Sequence, residues 1–325
     1  MKMNFLQIFL TCLATGVLTL SPVSNTYARE SAGLRLIRYG PVGEERPGLI
    51  DPSGTLRDLS GEIEDITPQV ISPAGLARLR AIEVSSLPQV KGKPRLGVPL
   101  KGIRQIPALA RNYRAHAVEG NFEPPEQPVL FFKSITSLNG PNDPVILPKG
   151  SVNSDFEVEL GIVIGSKANY VGIDEAHQYV AGYLICQDVT ERHFQRVLGG
   201  GNSKGKSATT FTPLGPWLLT ADGLDDVQNL NMWLDLNGER MIESNTSYML
   251  SGALETVSYL SRFFTLLPGD VICSGTPEGV GAARNPPVYL KAGDVMKLGI
   301  DLLGEQIHDV QPYSAAGLKK YGNQY

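Results

Sequence analysis

Past residue 100, apolar positions come in short runs, some alternating with polar residues and some nearly continuous, set off by proline and glycine. That pattern predicts strands at 129–133, 157–164, 179–186, 231–236, 271–274 and 295–300. Helical spacing is confined to 191–198 and 253–265. There is no internal repeat and no regular alternation of strand and helix. A doubly wound parallel sheet is therefore excluded, and the class expected is α+β, predominantly β. Upstream, 34–39 alternates as a strand does, and 48–59 reads as a hairpin turning at Asp51-Pro52-Ser53-Gly54. Ser72-Pro73 is a helix start, an N-cap followed by proline at the first helical position, and the helix continues over 74–82. The proline- and glycine-rich stretch 88–99 is the best linker. It sets a small N-terminal α/β unit, 33–97, apart from a larger domain, 98–319.

The first 28 residues are expected to stand outside this fold. Lys2 gives a positive start, 5–20 is almost continuously apolar, Pro22 breaks the run, and Thr26 and Ala28 are small residues placed for cleavage after Ala28. The expectation is a signal peptide and export to the periplasm or beyond.

Composition narrows the classes further. With 325 residues, 42% hydrophobic and 19% charged, the chain is neither disordered nor fibrous. A net charge of −4 and the lack of a basic, aromatic-rich tract give no reason to expect nucleic acid as a partner. None of the three cysteines stands in a CxxC pair, which argues against zinc and against a disulfide scaffold. Cleavage would remove Cys12 and leave Cys186 and Cys273, each at the end of an apolar run; the sequence leaves open whether they are free or paired.

The strongest local chemistry lies in 155–164. As a strand, it puts Asp155, Glu157 and Glu159 on one face and Phe156, Val158, Leu160 and Ile162 on the other. Carboxylates so crowded repel one another unless a cation neutralises them, and oxygen-only ligands favour Mg²⁺, Mn²⁺ or Ca²⁺. The same stretch alone is equally compatible with a solvated acidic edge. Asp188 ends the next apolar run and supplies a third carboxylate, with Arg192 and Gln195 on the helix that follows. His116 and Glu119, spaced i and i+3, suit an imidazole oriented by a carboxylate as general base. Gly200-Gly201-Asn202-Ser203-Lys204-Gly205-Lys206-Ser207 matches the phosphate-loop pattern letter for letter. It is nonetheless rejected as a nucleotide site, because that loop needs a strand before it and a helix after it. Here a helix precedes it and β-like, proline-broken sequence follows. Lys206 remains a candidate cation for an anionic substrate.

Taken in order, NYRAH..E (112–119), FFKS (131–134), DFEVELGIVIG (155–165), QDVTERHFQ (187–195), GKSATTFTPLGPW (205–217) and SGTPEGVG (274–281) resemble the fumarylacetoacetate hydrolase family across roughly 100–310. The resemblance implies a mixed β-sandwich roll, often dimeric, so a homodimer is expected. It implies metal ligands at Glu157, Glu159 and Asp188 for Mg²⁺ or Mn²⁺, and a water-activating dyad of His116 and Glu119 on a segment able to close as a lid. Lys206, Arg192 and Gln195 would hold substrate oxygens, with Lys133 and Thr276 as further substrate contacts. The chain departs from the family at Gln187, where Asn is common, and at Ser207-Ala208-Thr209-Thr210-Phe211, which lacks an acid many members carry. The activity implied is metal-dependent hydrolysis of a carbon–carbon bond in a β-diketo acid such as an acylpyruvate. Decarboxylation or isomerisation of an oxo acid is the nearest alternative, and non-catalytic capture of an oxo acid is a third.

Overall fold

The computed structural model describes residues 33–322 and residue 324, so the expected leader at 1–28 lies outside the described residues. The N-terminal segment opens with an antiparallel meander of β1 (Arg35–Tyr39), β2 (Arg46–Ile50) and β3 (Leu56–Asp58). Its second turn falls at 51–54, where the Asp51 carboxylate accepts from the backbone N–H groups of Ser53 and Thr55. Such short-range bonding is what makes aspartate a turn former. Helix α1 (Pro73–Arg80) begins where the Ser72 hydroxyl accepts from Gly75 N–H, and it buries Leu76 and Leu79. Inside the expected linker, β4 (Leu96–Gly97) pairs with β1.

The remaining strands are short, as the punctuation of the sequence implies. In chain order come β5 (Ile106–Ala110), helix α2 (Arg114–Glu119), β6 (Val129–Lys133), β7 (Leu138–Asn139), β8 (Val145–Ile146), β9 (Ser154–Asp155) and β10 (Val158–Ile164). Then follow β11 (Val180–Gln187), β12 (Thr190–Glu191), α3 (Arg192–Arg196), α4 (Asn202–Lys206) and β13 (Thr212–Thr220). The chain closes with β14 (Asn231–Leu236), β15 (Glu239–Asn245), α5 (Ala253–Leu260), β16 (Val271–Cys273), β17 (Val295–Ile300), β18 (Gly304–Gln311) and α6 (Ala315–Tyr321).

An eleven-stranded sheet runs β3-β2-β1-β13-β11-β10-β16-β5-β6, with β4 paired to β1 and β7 to β13. The meander of β1, β2 and β3 is thus joined edge-on, through β1 and β13, to the strands that follow residue 100. A five-stranded sheet, β15-β14-β17-β18-β8, stacks on it, and β9 and β12 form a separate ribbon. Pairing is mixed: β5 with β16, β7 with β13 and β8 with β18 are parallel.

One core fills the space between the two sheets, taking Phe156, Val158, Leu160 and Ile162 from the β10 region and Met232, Leu234, Met296 and Leu298 from the smaller sheet. The other face of the large sheet supports a second core, with Val163, Leu184, Cys186 and Cys273 under Leu76 and Leu79 of α1. Strands β10 and β11 are therefore buried on both faces, which explains their near-continuous apolar sequence. The alternation expected over 155–164 holds for Glu157 and Glu159 opposite the apolar set. The strand breaks after Asp155, which belongs to β9 and pairs with Thr190.

Candidate active site and metal centre

Strands β10 and β11 pair antiparallel, with Val158 opposite Gln187 and Glu159 opposite Cys186. One residue beyond the ladder, Asp188 N–H donates to the carbonyl of Glu157 at 2.9 Å. The i, i+2 spacing of Glu157 and Glu159 and this cross-strand step bring Asp188 beside both. Carboxylate oxygens of Glu157, Glu159 and Asp188 lie within 4.8 Å of one another, and all three residues are buried.

Helix α4 delivers the principal cation. Gly199, Gly200 and Gly201 turn the chain with φ of +82°, +68° and +114°, a left-handed run that residues with a Cβ resist. The helix that follows ends at Lys206, whose ammonium donates to Glu157 Oε2 at 2.6 Å, Asp188 Oδ2 at 2.5 Å and Thr190 Oγ1 at 2.8 Å. Arg192, at the start of α3, bridges Asp155 Oδ2 through Nε at 2.8 Å and Glu157 Oε1 through Nη2 at 2.6 Å. Lys133 completes the cluster from the end of β6, bonding Asp188 and, at 3.1 Å, the carbonyl of Phe211.

These partners divide the carboxylates into two kinds. Burial alone would raise the Glu157 carboxyl, yet the charges of Lys206 and Arg192 outweigh it and hold the group low, at about 2. Glu159 goes the other way: burial, then the charges of Asp188 and Glu157, push its carboxyl well above the ordinary range. Gly275 N–H donates to Glu159 Oε2 at 2.8 Å. Burial also draws the Lys133 ammonium below its usual value, against the pull of Asp188. An all-oxygen donor set fits a hard divalent cation, and the crowding that raises Glu159 is what such an ion relieves.

A cavity of about 410 Å³ opens over this cluster, lined by His116, Glu119, Glu157, Arg192, Gln195, Lys206 and Thr276 among others. His116 Nδ1 lies 2.7 Å from Glu119 Oε1, while Glu119 Oε2 accepts from Gly279 N–H at 2.8 Å. With Nδ1 facing a carboxylate, the proton belongs there and Nε2 is left as the basic nitrogen. Thr276 is 2% exposed, and its hydroxyl finds no hydrogen-bond partner among the described residues.

Of the sequence-derived candidates, His116, Glu119, Glu157, Arg192, Gln195, Lys206 and Thr276 line this cavity, while Glu159, Asp188 and Lys133 are buried beside it. Lys133, expected to contact substrate, is buried behind the triad and is held by Asp188 and Phe211. It neutralises a carboxylate from behind. Several residues take parts that the sequence does not indicate. Asp155 accepts from Gly281 and Ala282 N–H as well as Arg192, tying the 274–281 turn to the ribbon. Buried Asn112 bonds Ser251 and Ser274 and so anchors the chain entering α2. Arg111, with φ +59°, turns the chain from β5 toward α2 and stacks 4.9 Å from the Phe122 ring centroid at the cavity wall. Asn112 and the glycines of 274–281 stood in motifs already noted, but the bonds joining them cross more than a hundred residues.

The family model for the fumarylacetoacetate (FAA) hydrolase C-terminal domain matches residues 105–311. A 2,4-didehydro-3-deoxy-L-rhamnonate hydrolase from Sphingomonas sp. (strain SKA58) is 46% identical over 290 residues, spanning 89% of this chain and 100% of the relative. Maleylpyruvate hydrolase from Sphingobium sp. SYK-6, solved with manganese(II) and pyruvate, superposes with a TM-score of 0.72 at 28% identity, covering 86% of this chain and 100% of that one. A 5-carboxymethyl-2-hydroxymuconate delta-isomerase from Mycobacterium smegmatis superposes with a TM-score of 0.66 at 29% identity, covering 86% and 99%.

Proposed function

The chain belongs to the fumarylacetoacetate hydrolase family, and from that premise we propose that it is a divalent-cation-dependent hydrolase of a carbon–carbon bond in a β-diketo acid. The observation that carries the reading is the convergence on one cavity of an oxygen-only triad and an imidazole held by a carboxylate. Glu157, Glu159 and Asp188 would hold Mg²⁺ or Mn²⁺, which supplies Lewis acidity for the negative charge passing to the pyruvate half.

The protein's own groups do the rest. Arg192, Gln195 and Lys206 line the cavity where the substrate carboxylate and 2-oxo oxygen would lie. His116 Nε2 removes a proton from water as it attacks the distal carbonyl, and Glu119 holds the ring in place for that transfer. The unpartnered Thr276 hydroxyl offers a hydrogen bond to the oxyanion that forms there, and Lys206, its three N–H groups held by Glu157, Asp188 and Thr190 until a cation takes over those carboxylates, would supply a second. Cleavage then yields pyruvate and the acyl half as a carboxylic acid, with one water consumed. The cavity wall also carries Arg111, Asn121, Arg196 and Asn202, a lining suited to a hydroxylated or charged acyl chain. A relative named for hydrolysis of a didehydro-deoxy sugar acid supports that choice.

The test is the loss of acylpyruvate absorbance with purified mature protein, with and without Mn²⁺ or Mg²⁺, followed by a pyruvate assay. Metal-dependent loss with pyruvate released is expected. Loss without pyruvate would favour the second reading, isomerisation or decarboxylation, which the isomerase among the solved relatives supports. Tight binding with no loss would favour an oxo-acid binding protein. We further propose export after cleavage at Ala28, on the composition of the leader, and assembly as a homodimer, on the habit of the family.

A further inference from the structure

Cys186 and Cys273, 87 residues apart in sequence, form a disulfide and are wholly buried. Their strands, β11 and β16, are not neighbours. Both flank β10, where Cys186 lies opposite Glu159 and Cys273 opposite Gly161. In a flat sheet, two strands flanking a third stand about 10 Å apart. Here the two Cα atoms are 5.9 Å apart. The flanking strands are therefore drawn together on the face of β10 that carries Glu159, and the sulfurs lie within 4.8 Å of that carboxylate.

Each half of the bridge leads directly into the active site. From Cys186 the chain runs through Gln187 to Asp188, a member of the triad. From Cys273 it runs through Ser274, whose carbonyl is held by Asn112, to Gly275, whose N–H donates to Glu159 at 2.8 Å. Thr276, at the cavity, is next. The bridge thus ties the segment that delivers Asp188 to the one that holds Glu159.

We propose that the Cys186–Cys273 disulfide is a positioning element for the metal centre: closed, it sets the spacing of Asp188 and Glu159, and opened, it weakens divalent-cation binding. The inference rests on the assignment of the triad as cation ligands. A dithiol such as dithiothreitol opens the bridge by exchange, its own two sulfurs becoming a cyclic disulfide while Cys186 and Cys273 each gain a proton and the pair gains two electrons. An oxidising compartment, where the leader would send the chain, keeps the bridge closed.

The experiment measures Mn²⁺ binding by electron paramagnetic resonance of the free ion, without substrate. Three samples are compared: mature protein purified without reductant, the same protein reduced with dithiothreitol under mild denaturant and returned to buffer, and Cys186→Ala/Cys273→Ala. Alkylation and mass spectrometry count the thiols, and melting curves ensure that every measurement lies well below unfolding. The expected result is a blocked thiol pair in the first sample and Mn²⁺ binding about tenfold weaker in the other two, the size of effect seen when groups supporting metal ligands are lost. Equal affinity in all three, with only the melting temperature changed, would reduce the bridge to a staple and overturn the proposal. Two free thiols in protein prepared under oxidising conditions would also overturn it. Failure of the first sample to bind Mn²⁺ would instead remove the metal assignment, and this inference with it. Should the double variant not fold, the reduced wild-type protein decides alone.

Discussion

The Lys206 ammonium lies 2.6 Å from Glu157 Oε2, so the residue that reads in sequence as the lysine of a phosphate loop is turned inward onto a carboxylate. The same ammonium binds Asp188, and the two contacts make Lys206 both a counter-ion and a wall of the cavity. Burial works against its charge, but Asp188 and Glu157 more than offset that and raise its pKa. Lys206→Met would leave two buried carboxylates without this partner. Loss of about 3 kcal/mol from the metal-free protein is expected, partly restored by Mn²⁺. Turnover at saturating Mn²⁺ should fall by at least ~10²-fold as the oxyanion loses a donor. Melting curves with and without Mn²⁺, alongside kcat, check this; a normal kcat would leave Lys206 a counter-ion alone.

Glu159→Gln keeps the shape of the side chain and the acceptor for Gly275 N–H while removing a charge. Calorimetric titration should show Mn²⁺ affinity falling by more than the ~10–100-fold typical of groups that only support ligands, and turnover lost with it. In the wild type, chelator should abolish activity and added Mn²⁺ restore it. Full activity of Glu159→Gln in chelator would defeat the metal assignment.

His116→Ala removes the proposed base without touching the triad. A fall in kcat of about 10²–10⁴-fold with Mn²⁺ affinity unchanged is expected. Glu119→Ala should lower kcat less. Because Glu119 also receives Gly279 N–H, that variant should cost about 1 kcal/mol of stability as well. A similar loss of Mn²⁺ binding in both variants would mean that α2 helps to build the metal centre.

Asp51 gives a pH-dependent stability signal remote from the chemistry. Burial would push its carboxyl up, but hydrogen bonds from Ser53, Thr55 and Arg57 outweigh it and bring the pKa from 3.8 to about 2. A carboxyl depressed by folding stabilises the protein fully above its unfolded value, and that contribution fades as pH falls from 3.8 toward 2. Comparison of Asp51→Asn with wild type by denaturant unfolding should give a difference of no more than about 2 kcal/mol at pH 6. The difference should shrink below pH 4. One that stays constant across that range would assign the effect to turn geometry rather than charge.

Much of the scaffold was legible from local pattern alone. The strands at 129–133, 231–236 and 295–300 appear with the bounds that alternation implies, and Ser72-Pro73 starts α1. The i, i+2 spacing of Glu157 and Glu159 opposite Phe156, Val158, Leu160 and Ile162 carried half of the metal centre, because side-chain direction along a strand follows from its period. The order of motifs carried the family.

Tertiary structure decided what local period cannot reach. That Asp188 joins Glu157 depends on the β10–β11 register, fixed by the pairing of Val158 with Gln187, Leu160 with Ile185 and Val163 with Gly182 rather than by either strand alone. Lys133 looks like any lysine at a strand end, and only the packing of β6 beside the triad makes it a buried counter-ion to Asp188. Cys186 and Cys273 each look like one more apolar strand residue. They become a pair because β11 and β16 both flank β10 and lean together over Glu159. A sequence states the direction in which each side chain leaves its own strand, while the distance between strands is set by the packing of the whole sheet.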